Sequence, residues 1–491
     1  MNPSPDPTPS GKRKRKGGQS DSNVSLYAKH VKIYPKRVKG TFRTLRWSVL
    51  GVLLGLYYMI PWARWDRGLG APDQAVLVDM PGRRLYFFWI EIWPQEIYYL
   101  SGLLILGAIG LFLVTALAGR VWCGFTCPQT VWTDLFLLVE RLIEGDRNKR
   151  IKMDEGKLTV EKAVRKIVKH AAWIVISVLT GGAWIWYFND APTVTRELFT
   201  GEVSSTVYSF VALFTATTYL LAGWAREQLC IYMCPWPRFQ GAMFDEDSLI
   251  VTYESWRGEP RGAAKKGDSF ENRGHCVDCE LCRHVCPTGV DIRDGQQMGC
   301  IGCALCIDAC NEVMDKMALP RGLITYDSIS NQINREAGKP ARFNLFRPRI
   351  LIYAVILLIV SGIMVFDFST RKTVEINVQR DRSPLFVTLS DGSVRNGYTF
   401  KILNMVRQER SFILTARGLP GAKINAIGYT SDWIDEVTLP VKADTVGTFR
   451  LFIKVPKDRL EERSSNVKFH LLEVDKGLTI EQESVFYGPE K

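Results

Sequence analysis

Five long apolar segments constrain the fold of this chain more than any other feature of its sequence. Each comes close to the roughly 20 apolar residues that a helix needs to cross about 30 Å of hydrocarbon. Inside lipid, only helices and closed barrels satisfy every backbone polar group. We therefore predict an α-helical bundle of about five transmembrane helices, formed by TLRWSVLGVLLGLYYMIPW, IYYLSGLLILGAIGLFLVTALAG, AAWIVISVLTGGAWIWYF, STVYSFVALFTATTYLLAGW and ILIYAVILLIVSGIMVFDF.

The basic residues between these segments predict which loops stay inside the cell. Lys and Arg are frequent near the amino terminus, in residues 120–169 and in residues 226–348, whereas residues 189–205 contain only Arg196. Loops rich in Lys and Arg remain cytoplasmic. We therefore predict a multi-pass protein of the bacterial inner membrane, with the tail after Phe368 outside. All twelve cysteines fall in or beside the segments assigned to the cytoplasm, where thiols stay reduced and free to bind metal.

The amino-terminal leader is basic and has no apolar run. It contains GKRKRKGG among Pro, Ser and Gly residues. Such a stretch is found in nucleic-acid or heparin patches, and also in disordered cytoplasmic tails that precede a membrane span. We expect the second case, with no nucleic acid as a partner and no cleavable signal peptide.

Two cysteine runs share one spacing, CVDCELCRHVCP at Cys276 and CIGCALCIDACN at Cys300. C-x2-C-x2-C-x3-C-P is the spacing of bacterial ferredoxins, in which three cysteines of one run and the last cysteine of the other hold each [4Fe–4S] cluster. Zinc also binds C-x2-C pairs, but two complete runs favour two clusters. Asn311 replaces the second proline, and no ligand is lost. The predicted ligand sets are Cys276, Cys279, Cys282 and Cys310 for one cluster, and Cys300, Cys303, Cys306 and Cys286 for the other.

Two further cysteine pairs follow the second and fourth apolar segments. They are Cys123 and Cys127 in CGFTCP, and Cys230 and Cys234 in CIYMCP. On an α-helix, the i,i+4 spacing would put both sulfurs on one face, with Cβ atoms about 5–6 Å apart, and the following proline would end or kink the helix. The four thiols could then meet and bind copper(I), zinc or an iron–sulfur cluster. The alternative is that they are small buried hydrophobic residues. We predict a catalytic redox role for the four.

The remaining segments complete the predicted layout. VWTDLFLLVERLI is short and carries Asp134 and Glu140, so we predict an interfacial helix there. After Thr370, apolar and polar residues alternate in stretches such as TFRLFIKV, which indicates a β-sandwich. The predicted regions are a leader at 1–40, a four-helix membrane region at 41–225, a cytoplasmic connector at 226–255, a two-cluster ferredoxin-like domain at 256–345, a fifth transmembrane helix at 349–368 and a periplasmic domain at 370–491.

Four segments give the sequence a resemblance to a known family: GRVWCGFTCPQTVWTDLF, CIYMCPWPRFQGAMFDEDSLIVTYESWRGEPRG, CVDCELCRHVCPTGVDIRDG and QMGCIGCALCIDAC. They resemble the CcoG (FixG/RdxA) family of cytochrome c oxidase accessory proteins, which are membrane polyferredoxins. The C-x3-C-P pairs are also similar to those of iron–sulfur membrane subunits in nitrate and nitrous oxide respiration.

The resemblance implies a function as well as a fold. It implies a C-terminal immunoglobulin-like domain and a cupric reductase that supplies copper(I) for assembly of cbb3-type oxidase, with assembly factors of that oxidase as partners. One alternative is an electron-transfer subunit linked to quinol, and another is a copper-binding scaffold without turnover. The electron donor is not identified by the sequence.

Overall fold

Helices form most of the chain before residue 370, where the apolar segments lie. A computed structural model describes residues 32–68, 70–460, 462–475 and 477–489, so residues 1–31 of the predicted leader lie outside the described residues. The α-helices of the described chain are α1 (Thr41–Met59), α2 (Tyr98–Ala118), α3 (Pro128–Glu144), α4 (Arg147–Glu155), α5 (Val160–Trp186), α6 (Ala191–Thr200), α7 (Ser205–Thr218), α8 (Trp236–Met243), α9 (Ser255–Gly258), α10 (Leu281–Val285), α11 (Leu305–Met317), α12 (Ile329–Glu336) and α13 (Pro348–Ser369).

The predicted membrane helices are present. Among the described residues, five helical segments are long and apolar enough to cross a membrane: Thr41–Trp62, Pro94–Ala118, Val160–Trp186, Ser205–Ala225 and Pro348–Ser369. In the fifth, only 6% of the most apolar window is buried, and its apolar side chains are therefore placed to face lipid. The prediction of a multi-pass helical protein is confirmed.

The described chain divides into two units. The first contains the described residues up to Leu56, together with Val114–Trp184 and Ser204–Leu345. The second contains Tyr57–Leu113, Ile185–Val203 and the described residues from Phe346 onwards. Every cysteine belongs to the first unit.

In the first unit, a carboxylate from the ferredoxin-like domain caps the first membrane helix. Asp308 of α11 accepts hydrogen bonds from the backbone N–H groups of Phe42 (3.2 Å) and Arg43 (2.7 Å) at the start of α1. A negative charge is favourable at the N-terminus of a helix. The Arg43 side chain in turn binds Asp134 of α3 at 2.9 Å. Asp134 is therefore buried in an ion pair, although the sequence suggested an interfacial position.

The strands fall into separate sheets. Those of the described chain are β1 (Val76–Asp79), β2 (Arg84–Phe87), β3 (Ile90–Ile92), β4 (Ile250–Tyr253), β5 (Ile324–Asp327), β6 (Val374–Arg380), β7 (Val387–Thr388), β8 (Val394–Asn404), β9 (Arg410–Arg417), β10 (Lys423–Ala426), β11 (Glu436–Val441), β12 (Thr445–Val455), β13 (Ser464–Glu473) and β14 (Thr479–Tyr487). In the first unit, β4 and β5 pair antiparallel and pack with α10 and α11 around a buried core that includes Ile307, Met314 and Ile324.

The second unit contains the predicted β-sandwich. One sheet has the order β10-β12-β8-β6, with β7 also paired to β8, and the other has the order β11-β9-β13-β14. Apolar side chains alternate inward along the strands, and Phe400, Leu414 and Phe469 are fully buried between the sheets. The same unit contains the small antiparallel sheet β1-β2-β3, which the sequence analysis did not predict.

Candidate redox site

The first predicted ligand set comes together around the ends of α10 and α11. Burial raises the pKa of the Cys310 thiol to about 12, and the neighbouring thiols of Cys282, Cys276 and Cys279 contribute to that rise. Thiols that influence one another in this way lie close together. Cys279 is exposed, whereas Cys276 and Cys282 are buried. One edge of this set is therefore open to solvent.

The second predicted set also comes together, at greater depth. Burial raises the pKa of the Cys306 thiol well above its ordinary value, and Cys303, Cys300 and Cys286 raise it further. The thiol of Cys282, from the first set, also contributes to the raised pKa of Cys306. The two sets are therefore neighbours, in the arrangement that the crossed ferredoxin spacing predicts.

The two cysteine loops share an unusual backbone conformation. Asp278 and Glu280 have φ values of 52° and 53°, and their counterparts Gly302 and Ala304 have values of 68° and 59°. Left-handed residues curl successive N–H groups into a concavity that binds anions, including iron–sulfur clusters. The strain at the three non-glycine residues persists only where the surroundings impose it. The repeated geometry fits one cluster in each loop.

The two C-x3-C-P pairs do not adopt the predicted α-helical spacing. Each first cysteine lies in a π-helical turn, Trp122–Thr126 or Leu229–Met233, and each second cysteine follows that turn in an extended conformation. The N–H of Cys127 bonds to the Trp122 carbonyl oxygen at 2.8 Å, which is an i→i−5 bond. A proline disfavours the α conformation of the residue before it, so Pro128 and Pro235 exclude Cys127 and Cys234 from an α-helix. The prediction of i,i+4 helical pairs is wrong for this reason.

The four thiols nevertheless lie near enough to influence one another. Burial raises the pKa of the Cys123 thiol to about 12, with contributions from Cys127, Cys230 and Cys234. Burial likewise raises the pKa of Cys230 to about 12, with contributions from Cys127 and Cys234. We call Cys123, Cys127, Cys230 and Cys234 the four-thiol site.

The four-thiol site packs directly on the second ferredoxin loop. A Cβ atom added to Gly124 would lie 2.9 Å from the Gly302 carbonyl oxygen and 3.0 Å from the Cys303 backbone. Cys123 and Cys230 also pack against the apolar cluster that contains Cys303. Only a glycine permits this approach, so the contact between the two loops depends on Gly124.

Two buried arginines each interact with a thiol of the four-thiol site and with a thiol of the second ligand set. Arg46 lowers the pKa of both Cys230 and Cys303, and Arg120 lowers that of both Cys123 and Cys300. Both side chains are at most 5% exposed. Within the described chain, Arg46 Nη1 and Arg120 Nε are buried without a hydrogen-bond partner. Arg46 already pairs with Asp134 at 3.1 Å through its Nε. The remaining N–H groups of both arginines could donate to thiolates bound to iron, so these residues fit the predicted clusters.

The spacing of the side chains distinguishes a cluster from a single ion. In the described part of the chain, no three His, Cys, Asp or Glu side chains converge closely enough to hold one metal ion. A structural zinc site requires four such ligands around one centre, whereas each cysteine of a [4Fe–4S] cluster binds a different iron. Among the described residues, neither the ferredoxin sets nor the four other cysteines close around one ion, and a single ion would find at most two closely spaced thiols at either place.

Sequence reasoning missed a charged network beside the four-thiol site. Glu140 of α3 is fully buried. It accepts two hydrogen bonds of 3.1 Å from the Arg226 guanidinium and another hydrogen bond from Arg150. Burial by itself raises the pKa of Glu140, but Arg226 and Arg150 outweigh it and hold that pKa below its ordinary value. The sequence did contain one indication of this network, namely Glu140 inside the apolar stretch VWTDLFLLVERLI. A carboxylate buried in such a stretch requires paired cations.

Comparisons with known proteins agree with this architecture. Residues 225–329 match the 4Fe-4S dicluster domain family, residues 100–145 match a 4Fe-4S binding domain, and residues 364–489 match the immunoglobulin-like fold at the C-terminus of FixG, described as a putative oxidoreductase. The two iron–sulfur matches together contain all twelve cysteines. The predicted immunoglobulin-like sandwich is confirmed.

Full-length relatives extend the comparison to most of the chain. The nitrogen fixation protein FixG of Rhizobium meliloti is 48% identical over 89% of this chain and 89% of its own length. Protein RdxA of Cereibacter sphaeroides is 48% identical over 88% of this chain and 91% of its own. Protein RdxB of the same organism is 46% identical over 94% and 98%, respectively. The chain therefore belongs to the FixG/RdxA family of iron–sulfur redox proteins.

Proposed function

We propose that this protein reduces copper(II) to copper(I) at the four-thiol site, as a step in the assembly of cbb3-type oxidase. The two ferredoxin sets would hold one [4Fe–4S] cluster each, and such clusters supply single electrons when bound. Copper is the substrate, and one electron converts each copper(II) ion to copper(I). The link to the oxidase rests on the family resemblance, whereas the reaction is supported by the chemistry of the site.

The four thiols suit the reduced form of the metal. Soft thiolate ligands select copper(I), and two thiolates are enough to hold that ion. Because burial raises the pKa of Cys123 and Cys230 to about 12, these thiols are protonated at neutral pH in the metal-free protein. Copper binding would displace their protons, so its affinity is expected to rise with pH.

One observation carries the proposal: the turn that contains Cys123 touches the loop that contains Cys303. The approach of Gly124 to the Gly302 carbonyl oxygen leaves no room for another side chain between them. Tyr326 also donates a hydrogen bond of 3.2 Å to that carbonyl oxygen, which fixes the ferredoxin side of the contact. A copper ion at Cys123 would therefore lie beside the residues proposed to hold the second cluster.

The cluster assignment has a direct test. Protein purified anaerobically should contain about eight iron and eight sulfide per chain, as two [4Fe–4S] clusters require. Cys279→Ser and Cys303→Ser should each lose mainly one cluster. Stoichiometric zinc without acid-labile sulfide would contradict the assignment. Twelve irons per chain would instead place a third cluster at the four-thiol site and would contradict the copper proposal.

The copper reaction is tested by removing single thiols from the four-thiol site. Cys127→Ser and Cys234→Ser should keep the iron content and the cluster spectra, while the rate of copper(II) reduction falls at least about tenfold, because a soft ligand is lost. The protein is reduced, copper(II) is added, and copper(I) is followed with a chelating dye. Thr126→Ser in the same turn is the matched control and should keep the wild-type rate. If both cysteine variants also keep that rate, the four thiols have only a structural role.

A further inference from the structure

A cavity of about 430 Å³ is lined by residues up to Glu227, which precedes Cys230 of the four-thiol site by three positions, and the proposed function does not use it. Its walls come from the start of α5 and from the end of the Ser205–Ala225 segment. Its volume falls in the range that small-molecule sites occupy, roughly 300–1,000 Å³. The lining residues that decide its chemistry are His170, Trp173, Trp224, Arg226 and Glu227.

The aromatic walls of the cavity are held in place. The His170 ring stacks on Trp224 at 5.9 Å with an interplanar angle of 20°, and it meets the edge of Trp173 at 5.2 Å. Trp173 is buried, and its Nε1–H donates to the Phe136 carbonyl oxygen at 3.2 Å. These walls suit a flat aromatic ligand.

One polar group in the cavity is free for such a ligand. In the described chain, His170 makes one hydrogen bond, between Nδ1 and the Tyr219 hydroxyl at 2.9 Å. The other ring nitrogen, Nε2, is left to accept from a ligand hydroxyl or to donate to a ligand carbonyl.

The charges that line the cavity argue against an anionic ligand. Each lining cation is already bound to a carboxylate, as shown by the pairs Lys32–Asp154 (2.7 Å), Lys166–Glu144 (3.0 Å), Lys169–Glu144 (2.9 Å) and Arg226–Glu140 (3.1 Å). A phosphate or lipid headgroup would have to displace these carboxylates. A neutral ligand with an apolar body would not.

The mouth of the cavity indicates where the ligand comes from. Trp224, which lines the cavity, is 62% exposed and lies at the end of an apolar segment long enough to cross a membrane. Glu227, another lining residue, is close enough to Cys230 to raise the pKa of its thiol. Between them, Arg226 has a left-handed φ of 41°, a strained conformation that the bidentate bond to Glu140 maintains. The cavity lining therefore runs from Trp224, at the end of an apolar segment long enough to cross a membrane, to Glu227, three residues before Cys230.

We infer that this cavity binds the headgroup of a lipid-soluble quinol, which would be the electron donor. The inference rests on the proposed function for the fate of the electrons. Oxidation breaks both O–H bonds of the quinol and yields the quinone, two protons and two electrons. The two electrons would go to the two iron–sulfur clusters proposed above, one electron to each, and the two protons would leave to water, the first through the His170 imidazole.

Quinone binding tests the inference without relying on turnover. Full-length protein in lipid nanodiscs is titrated with decylubiquinone, and the bound fraction is measured. His170→Gln should raise the Kd about five- to tenfold through loss of one hydrogen bond, whereas His470→Gln on β13 should leave it unchanged. Gly223→Ala should also weaken binding, because the added Cβ would lie 3.2 Å from the Trp173 ring and push it into the cavity. Unchanged cluster spectra establish that each variant is folded. If Gly223→Ala does not fold, the result for His170→Gln alone decides the test.

The outcomes separate this inference from the copper proposal. Wild-type affinity in the folded variants, absence of saturable binding, or displacement of decylubiquinone by phosphatidylglycerol would overturn it. Decylubiquinol should bleach the cluster absorbance of the wild-type protein and bleach that of His170→Gln more slowly. Chemically reduced His170→Gln should still reduce copper(II) at the wild-type rate. If reduced protein fails with copper while decylubiquinol still bleaches the clusters, only the copper proposal is lost.

Discussion

At the scale of single residues, buried charges hold the site together. Arg46, Arg120 and Arg226 are each at most 8% exposed, and so is Glu140. An isolated buried charge costs several kcal/mol, so each one is tolerated only where a partner compensates it. Glu140 compensates several cations at once, which makes it the residue whose loss should matter most.

Glu140→Gln should destabilise the protein by about 3–5 kcal/mol, because Arg150 and Arg226 would lose the charge that compensates them. The pKa of Glu140 is held below its ordinary value, so its contribution is present above about pH 4.3 and is lost as the pH falls through the folded-state pKa. The variant should therefore lose less stability on acidification than the wild type. Thermal unfolding in detergent at several pH values measures both effects. Glu161→Gln removes an exposed i,i+4 pair with Arg165 and should cost less than about 1 kcal/mol; an equal cost for the two variants would contradict the argument.

Gly124→Ala tests the contact through which we propose that electrons reach copper. The added Cβ would press on the Gly302 carbonyl oxygen and the Cys303 backbone, so the two loops must separate. We expect copper reduction to fall at least about tenfold, since displacements of about 1 Å commonly cost more than that. Gly182→Ala is the control, because a Cβ there has no neighbour within 4 Å. Unchanged copper kinetics in Gly124→Ala would show that the contact is not needed.

At the scale of elements, the proline after each thiol pair changes the helix that carries it. Cys127 has φ −59° and ψ 128°, and Cys234 has φ −76° and ψ 123°. Both are extended, and the turn before each widens from α to π. The spacing of the cysteines predicted that the thiols would meet, but the π turns depend on the local competition between helix bonding and proline sterics, which hydrophobic periodicity does not register.

Pro128→Ala should let Cys127 relax towards helical dihedral angles and move its thiol away from Cys230. Affinity for copper(I) should fall about two- to fivefold, since a proline of this kind restricts the chain by about 0.4–1 kcal/mol. Competition with a chelator of known affinity measures the change. Pro348→Ala is the matched control variant, because Pro348 also begins a helix after an extended residue but has no cysteine before it. The same loss in both variants would point to a general effect on folding.

At the scale of the whole molecule, the sequence predicted the features that follow a periodic pattern. It did not predict the features that form from residues far apart in the chain. The apolar lengths, the ferredoxin spacing and the strand alternation each follow a period, and the structure has the corresponding helices, paired ligand sets and sandwich. The sheet β1-β2-β3 and the cavity beside His170 follow no period. Both depend on contacts between residues far apart in the chain, such as Arg84 of β2 with Asp444 after β11, which no local pattern encodes.

The proposed orientation is a prediction for the whole chain. An alkaline phosphatase fused after Ser369 should be active, and the same enzyme fused near Gly262 should be inactive, because Lys- and Arg-rich loops stay in the cytoplasm. Activity of each fusion in intact cells, normalised to its amount, is the measurement. A β-galactosidase fused at each site is the control and should show the opposite activities. The reverse pattern would move the cysteine loops out of the reducing compartment.

The positions of the four thiols in the chain also determine when the four-thiol site can form during synthesis. The ribosome completes Cys123 and Cys127 long before Cys230 and Cys234, and the loop that Gly124 touches emerges later still. An incomplete chain therefore exposes half of the four-thiol site, with two thiols and no partner pair. A chain that ends before Cys234 cannot bring the two pairs together, and a chain that ends before Gly302 lacks the loop on which the Cys123 turn packs.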